Sequence, residues 1–432
     1  MQRNWFLGDL LSQLFDRSNI TRGKDDQRDI YKLCDALLSA EGEVSGLRLA
    51  SSVLARYADL NEDEKLTFFR YLNSELEFDA AHVAKIATAY ADTKSPKLFI
   101  ELCQAAEPKR QELLRRLNQP FGATQLLVAM RVDLLKLLKK YPELARTDID
   151  FVHLLRSWFN RGFLVLKQIN WDTPARILDK IVAYEAVHQI DDWDDLRRRL
   201  YPPDRRCFAF FHPSMPEEPL IFVEVALTAK IPGSIDGLLS DKRTPIEEDQ
   251  TKVAVFYSIS NCQKGLTGIS FGNLLIKQVV AELSLACPNI DTFVTLSPIP
   301  LMTRWLGAQD SDDDFSSSAK SVLDDSANDE TVRTLAAKYL LTAKRGDGLP
   351  YDPVARFHLG NGAEVYDVHA GADTSDNGHK QSRGAMVNYL YNVDHTEKNH
   401  ESFATKSTVI ASRNVQTLST AKLEANTKEP AS

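Results

Sequence analysis

The chain has 432 residues, 43% of them hydrophobic and 26% charged, which is a globular composition with length enough for more than one core. Fifty-two Lys and Arg against sixty Asp and Glu leave a net charge of −8, the wrong sign for a protein whose main ligand is duplex nucleic acid. No apolar run reaches the ~18 residues that a membrane-spanning helix needs, so neither nucleic acid nor membrane is expected as a partner.

From Trp5 to about Asn160 apolar residues recur at three- and four-residue spacing, as along Leu47, Leu49, Val53, Leu54 and Tyr57. Helix starts are marked by Asn61 before Glu62-Asp63-Glu64, by Ser95-Pro96, and by Thr147-Asp148 before Phe151. About eight helices are predicted for residues 1–160, packed as a bundle rather than a solenoid because no motif recurs at fixed period.

The texture changes after Arg161-Gly162, and residues 161–432 are predicted to form a mixed α/β domain. Phe163 to Leu166 reads as a strand, and Thr173-Pro174 opens a helix through about Val187. Further strands are predicted at Cys207 to Phe211, Leu220 to Leu227, Val253 to Ile259 and Thr292 to Leu296. A helix from about Phe271 to Leu285 lies between the last two, which makes a βαβ crossover. The acidic, Ser-rich stretch 308–330 is expected to be a solvated loop, and the polar tail after Leu418 to be frayed.

Cys34, Cys103, Cys207, Cys262 and Cys287 are odd in number, scattered and never spaced C-x-x-C, which disfavours a disulfide framework or a structural zinc and favours a reducing compartment. The start lacks a basic segment followed by a long apolar stretch, Asp9 and Asp16 do not suit a transit peptide, and Glu-Pro-Ala-Ser is no peroxisomal address. A cytoplasmic location is therefore expected.

P-loop, dinucleotide and zincin signatures are absent from the sequence. What stands out is the strand Val253 to Ser260, then the loop Asn261-Cys-Gln-Lys-Gly-Leu-Thr-Gly268, then the amphipathic stretch from Phe271. A strand, a glycine-bearing loop and a helix start together offer backbone N–H groups to a pyrophosphate. Gly265 and Gly268 serve turn geometry equally well, and Lys264 and Lys277 read equally as solvated lysines. Pro298 and Pro300 in Thr295-Leu-Ser-Pro-Ile-Pro300 are expected to stop the next strand just beyond Ser297. Ser258 and Ser297 thus fall at carboxyl ends of strands, where open α/β sheets bind ligands. Taken singly, His212 and His358 read as structural histidines, and no pair among the nine has convincing metal-ligand spacing.

Taken together, these segments resemble the malonyl-CoA decarboxylase family. The resemblance is carried by His212-Pro-Ser-Met-Pro-Glu-Glu-Pro219 with Val223 to Thr228, Phe256-Tyr-Ser-Ile-Ser260, Gln263-Lys-Gly-Leu-Thr-Gly268, Leu296-Ser-Pro-Ile-Pro300 with Trp305-Leu306, Pro353-Val-Ala-Arg-Phe-His-Leu-Gly-Asn-Gly-Ala363, and Asn388-Tyr-Leu-Tyr391. It implies a helical N-terminal domain (1–160) joined to a GNAT-like α/β catalytic domain (161–432), in a homo-oligomer, a tetramer by the same resemblance. It implies conversion of malonyl-CoA to acetyl-CoA and CO2 (EC 4.1.1.9), with a catalytic serine and histidine at Ser297 and His358 and further polar site positions at Ser258 and Tyr391. Gln263, Lys264, Gly265, Leu266, Thr267 and Gly268 are the expected CoA-binding loop. The short Ser297 to His358 spacing and the non-peroxisomal ending look like a bacterial-type member.

The implied reaction needs no biotin, metal or pyridoxal cofactor, because the thioester carbonyl accepts the electrons left on Cα. The site must bind CoA, leave the carboxylate poorly solvated, stabilise the oxyanion and protonate Cα. The rival readings are an acyl-CoA N-acyltransferase on the same fold and a helical protein-binding scaffold carrying a degenerate enzyme.

Overall fold

The computed structural model describes residues 26–40, 42–269, 272–309, 314–392 and 394–422. They form two compact units. The first holds the described residues up to Leu164 with His212–Pro216 and residues 263–269; the second holds the remainder.

Among the described residues the first unit contains eight α-helices, Ile30–Ser39, Glu43–Ala58, Glu62–Ser74, Ala80–Thr93, Pro96–Ala105, Lys109–Leu117, Ala123–Leu137 and Ala145–Trp158. Local signals set several boundaries. Asn61 and Glu64 form a reciprocal capping box, and Pro96 occupies a first-turn position that has no N–H to satisfy. Leu33, Leu37, Phe68, Phe69, Leu113, Leu127, Phe151 and Leu155 are buried in its interior. The last helix starts earlier than expected: the turn Pro142–Leu144 runs directly into Ala145, and the supposed cap Thr147 is buried with its hydroxyl on Asn73, 3.2 Å away.

The second unit is built on an eight-stranded sheet among the described residues: β1 Val165–Ile169, β2 Arg205–Phe211, β3 Ile221–Thr228, β4 Val253–Asn261, β5 Thr292–Thr295, β6 Ser297–Pro298, β7 Glu364–His369 and β8 Met386–Leu390. The order is β1-β2-β3-β4-β5-β8-β6, with β7 also on β8. All pairs are antiparallel except β4 and β5, which are parallel and joined through the helix Gly272–Ala286, so the expected βαβ crossover is present. The first strand starts two residues later than predicted because Asn160 accepts from Gly162 N–H and winds Arg161–Phe163 into a 3₁₀ turn.

Two irregularities shape this sheet. Glu224 faces Ser258 while Val225 faces Phe256, so Tyr257 is an extra residue that bulges β4. The β4–β5 ladder ends at Phe256 and Thr295, with one further bond from Leu296 N–H to the Phe256 carbonyl. Beyond that point β4 stays with β3, while the chain after β5 pairs with β8 through Ser297 and Pro298. Pairing ends at Pro298, just beyond Ser297 as expected, after a break at Leu296 where the chain changes partners; Pro298 fits an edge position that needs no donor.

The stretch 308–330 is not a plain solvated loop. Residues 310–313 lie outside the described set, but Asp314–Leu323 is an α-helix with Ser316, Ser318, Ala319 and Val322 buried, and Asp329–Thr342 is another helix, capped by Asn328. The acidic residues mask a helical repeat of small and apolar ones. The expected frayed tail falls largely outside the described residues, which end at 422, while Arg413–Thr420 is helical.

Candidate active site

Ser297 stands in β6, two residues past Thr295 at the end of β5. His358 comes from the helix Pro353–Gly360, whose start is fixed by Asp352: its Oδ1 accepts from the N–H groups of Val354 at 2.8 Å and Ala355 at 3.0 Å. Tyr391 follows β8 and is tied back to the sheet through its N–H on the Phe293 carbonyl at 2.8 Å. Three segments distant in sequence thus converge on one imidazole.

Ser297 Oγ lies 3.2 Å from His358 Nε2, and His358 Nδ1 lies 2.8 Å from the Tyr391 hydroxyl. Ser297 Oγ also donates to Thr295 Oγ1 at 2.9 Å, which in turn accepts from the Tyr389 N–H at 3.1 Å. The Tyr389 ring stacks on the imidazole at 4.6 Å. Ser297, His358 and Tyr391 are each no more than 5% exposed, and Thr295, Asn388 and Tyr389 are fully buried. Burial without a compensating anion pushes the His358 imidazole down to about 3, so it is neutral at physiological pH. Burial also holds the Tyr391 phenol well above its ordinary value, so it remains protonated.

Ser258 is occupied elsewhere. Its hydroxyl donates to both carboxylate oxygens of Glu185, at 2.7 and 2.8 Å, beside Ser260. His212 behaves as the structural histidine it resembles taken singly: its Nε2 sits 3.1 Å from the Trp158 carbonyl, and its Nδ1 accepts from Ser214 N–H.

The loop from Gln263 to Gly268 belongs to the helical unit. Lys264–Leu266 is a 3₁₀ turn, and the buried Arg131 donates to the carbonyls of Gly265 at 2.7 Å and Thr267 at 2.9 Å while Asp148 holds its other edge. A side chain at Gly265 would meet the Val128 carbonyl at 2.1 Å, so this glycine is required by close packing on the helix Ala123–Leu137. Gly268 has φ +83 and open space at its α-carbon. All five cysteines are free, and no group of three or more metal-ligating side chains is assembled among the described residues. No helix there is long and apolar enough to cross a membrane.

Sequence reasoning missed Thr295, Asn388, Tyr389 and Glu185. Thr295 and Asn388-Tyr389 sit inside the segments Thr295 to Pro300 and Asn388 to Tyr391, so their position was visible. Glu185 lies in a stretch with no distinguishing pattern, and only the fold brings it to β4.

Residues 162–430 match the family model for the malonyl-CoA decarboxylase C-terminal domain, and residues 76–159 match that for the malonyl-CoA decarboxylase N-terminal domain. The chain is similar to the crystal structure of malonyl-CoA decarboxylase from Rhodopseudomonas palustris, with 49% identity and a TM-score of 0.84 over 90% of this chain and 98% of that one. It is also similar to the corresponding structure from Agrobacterium vitis, with 47% identity and a TM-score of 0.85 over 90% and 99%. The mitochondrial malonyl-CoA decarboxylase of Anser anser anser is 35% identical over 349 residues, 71% of this chain and 69% of that protein.

Proposed function

This chain belongs to the malonyl-CoA decarboxylase family, and from that premise we propose that it converts malonyl-CoA to acetyl-CoA and CO2 at Ser297 and His358. The observation that carries the assignment of residues is the dry hydrogen-bonded set of Ser297, His358 and Tyr391. Malonyl-CoA supplies its own electron sink. The Cα–carboxylate bond breaks, CO2 departs, and the bonding pair enters the thioester as an enolate. That pair then forms a C–H bond with a proton from the enzyme, which solvent restores.

Each residue has a task in this scheme. A buried site leaves the malonyl carboxylate poorly solvated, and Ser297 contacts the malonyl group there. His358, neutral and held by Tyr391 at Nδ1, is the proton source at Nε2. Ser258 holds Glu185 rather than substrate. The loop from Gln263 to Gly268 takes the CoA pyrophosphate through backbone N–H groups, and the open space at Gly268 gives a phosphate room to approach.

An oligomer, a tetramer by family resemblance, and a cytoplasmic setting belong to the same proposal; light scattering on the full chain tests the first. Incubating the purified protein with malonyl-CoA alone tests the activity. Acetyl-CoA and CO2 should appear in equal amounts, without an amine acceptor, and folded Ser297→Ala protein should lose most of that turnover. Acyl transfer to an amine with no CO2 released would favour an N-acyltransferase instead.

A further inference from the structure

Thr295 is a fully buried hydroxyl with no part assigned to it in the reaction, yet it is fastened from three directions. Its Oγ1 accepts from the Tyr389 N–H at 3.1 Å, its carbonyl accepts from Asn388 Nδ2 at 2.8 Å, and Ser297 Oγ donates to its Oγ1 at 2.9 Å. Asn388 is itself fixed, with Oδ1 2.6 Å from His369 Nε2 and Nδ2 also reaching the Pro232 carbonyl at 3.3 Å. The segment that secures Thr295, Asn388 to Tyr391, is the one that stacks Tyr389 on His358 and places the Tyr391 hydroxyl on Nδ1.

Two directions of donation would satisfy this chain, and the geometry at Thr295, with Ser297 Oγ as the donor, selects one of them. Serine has a single hydroxyl proton, and here it goes to Thr295. The contact of 3.2 Å between Ser297 Oγ and His358 Nε2 then needs its proton from the imidazole. A neutral imidazole carries one N–H, so Nδ1 is a bare lone pair and the Tyr391 phenol donates to it. Donation runs in one direction, from Tyr391 to His358 to Ser297 to Thr295.

Resting on the Ser297–His358 reading above, we propose that Thr295 is a positioning residue that draws the Ser297 proton away from His358 and thereby fixes the histidine as the Nε2–H tautomer. This is the reverse of the serine–histidine polarity in hydrolases, where the imidazole takes the serine proton and makes a nucleophile. A serine whose lone pair faces an imidazole N–H is not being activated to attack. The pair is set as a proton source, the polarity a thioester enolate needs at Cα. The Nε2–H tautomer is a state of the substrate-free protein, so it is measurable without turnover.

The test is nitrogen-15 NMR on histidine-labelled full-length protein, with the His358 signals assigned by their loss in His358→Asn. Wild-type protein should show protonated Nε2 and unprotonated Nδ1. Thr295→Val, which keeps the shape and removes the acceptor, should free the serine proton for Nε2 and move the signals to the Nδ1–H pattern; Thr295→Ala serves the same reading if valine does not fold. The same variant should lower kcat on the order of 10²-fold with KM little changed, as for a misaligned reacting group, and Thr295→Ser should recover most of the loss. A wild-type Nδ1–H or doubly protonated His358 would overturn the proposal, the former also removing Nε2 as the resting proton source, while Ser297 as the malonyl contact would stand; a Thr295→Val protein with wild-type tautomer and kcat would overturn it as well. Normal turnover in Ser297→Ala would instead remove the reading on which it rests.

Discussion

Ser258 and Glu185 are joined by a forked hydrogen bond, the serine hydroxyl lying 2.7 and 2.8 Å from the two carboxylate oxygens. The same carboxylate accepts from Ser260 Oγ at 3.2 Å and from the N–H groups of Val187 and His188 at 2.8 Å each. Glu185 therefore pins the segment after the helix Ala175–Tyr184 to β4 at its bulge. This accounts for a polar residue at Ser258 without a chemical step.

Ser258→Ala should accordingly act on stability first. Losing a hydrogen bond to a charged group costs about 1.5–3 kcal/mol, read as a lower denaturation midpoint, and turnover of the folded variant should fall far less than in Ser297→Ala. A variant with wild-type midpoint and Ser297→Ala-like turnover would place Ser258 among the groups that contact substrate.

The two loop glycines should separate. Gly265→Ala forces the helix Ala123–Leu137 and the loop apart, an overpacking cost of about 1–3 kcal/mol, and lowers thermal stability. A Cβ at Gly268 meets no neighbour, but Gly268→Val must hold φ near +83, so the loop is strained at the proposed pyrophosphate site. Calorimetry should show weaker CoA binding by Gly268→Val, and kinetics a raised KM for malonyl-CoA. Wild-type CoA affinity in that variant would move the pyrophosphate elsewhere.

The helix Asp314–Leu323 should matter for folding. Val322 is fully buried, so Val322→Ala should destabilise by about 1–3 kcal/mol through lost burial and a residual cavity. Unchanged melting would mean that the acidic stretch contributes no packing.

Stability should peak near neutral pH, and three strongly shifted groups dominate the two slopes. Burial lowers His358 to about 3 and His188 to about 4 from an ordinary 6.5, so the unfolded chain takes up their protons first and stability is lost as pH falls below about 6.5. Glu224, fully buried and beside Glu185, is raised to about 8 from 4.5 despite Arg199 at 3.2 Å. It binds its proton more tightly when folded, so its contribution is present at low pH and is lost as pH climbs toward 8. Between 4.5 and 6.5 it opposes the histidines; above 6.5 it acts without them. Chemical denaturation across pH 4 to 9 should show a maximum near 6.5, and Glu224→Gln should flatten the alkaline side. Persistence of that alkaline slope in Glu224→Gln would assign it to another group.

Much of the architecture is legible in the sequence because its signals are local. Asn61 with Glu64, Pro96, and the apolar runs of β2 to β5 each declare their element within a few residues. Acidic composition conceals the helix at 314–323, where serines and Ala319 face inward although the segment reads as solvated. At the site, Ser297, His358 and Tyr391 are marked by motif, while their grouping depends on β8 lying between β5 and β6. Long-range partners such as Glu185 for Ser258 leave no trace in spacing. A glycine in a loop likewise does not say whether it faces a ligand or a helix, and Gly265 faces Val128.

The central claim is that Ser297 and His358 deliver the proton as one unit, and it is tested most directly by the turnover of Ser297→Ala, His358→Asn and the double variant. Each single variant should lose roughly 10²- to 10⁴-fold in kcat while CoA binding is largely kept. The double variant should be little worse than either, because removing one member already disables the other. Near-normal turnover in folded His358→Asn, or losses that multiply in the double variant, would contradict the account.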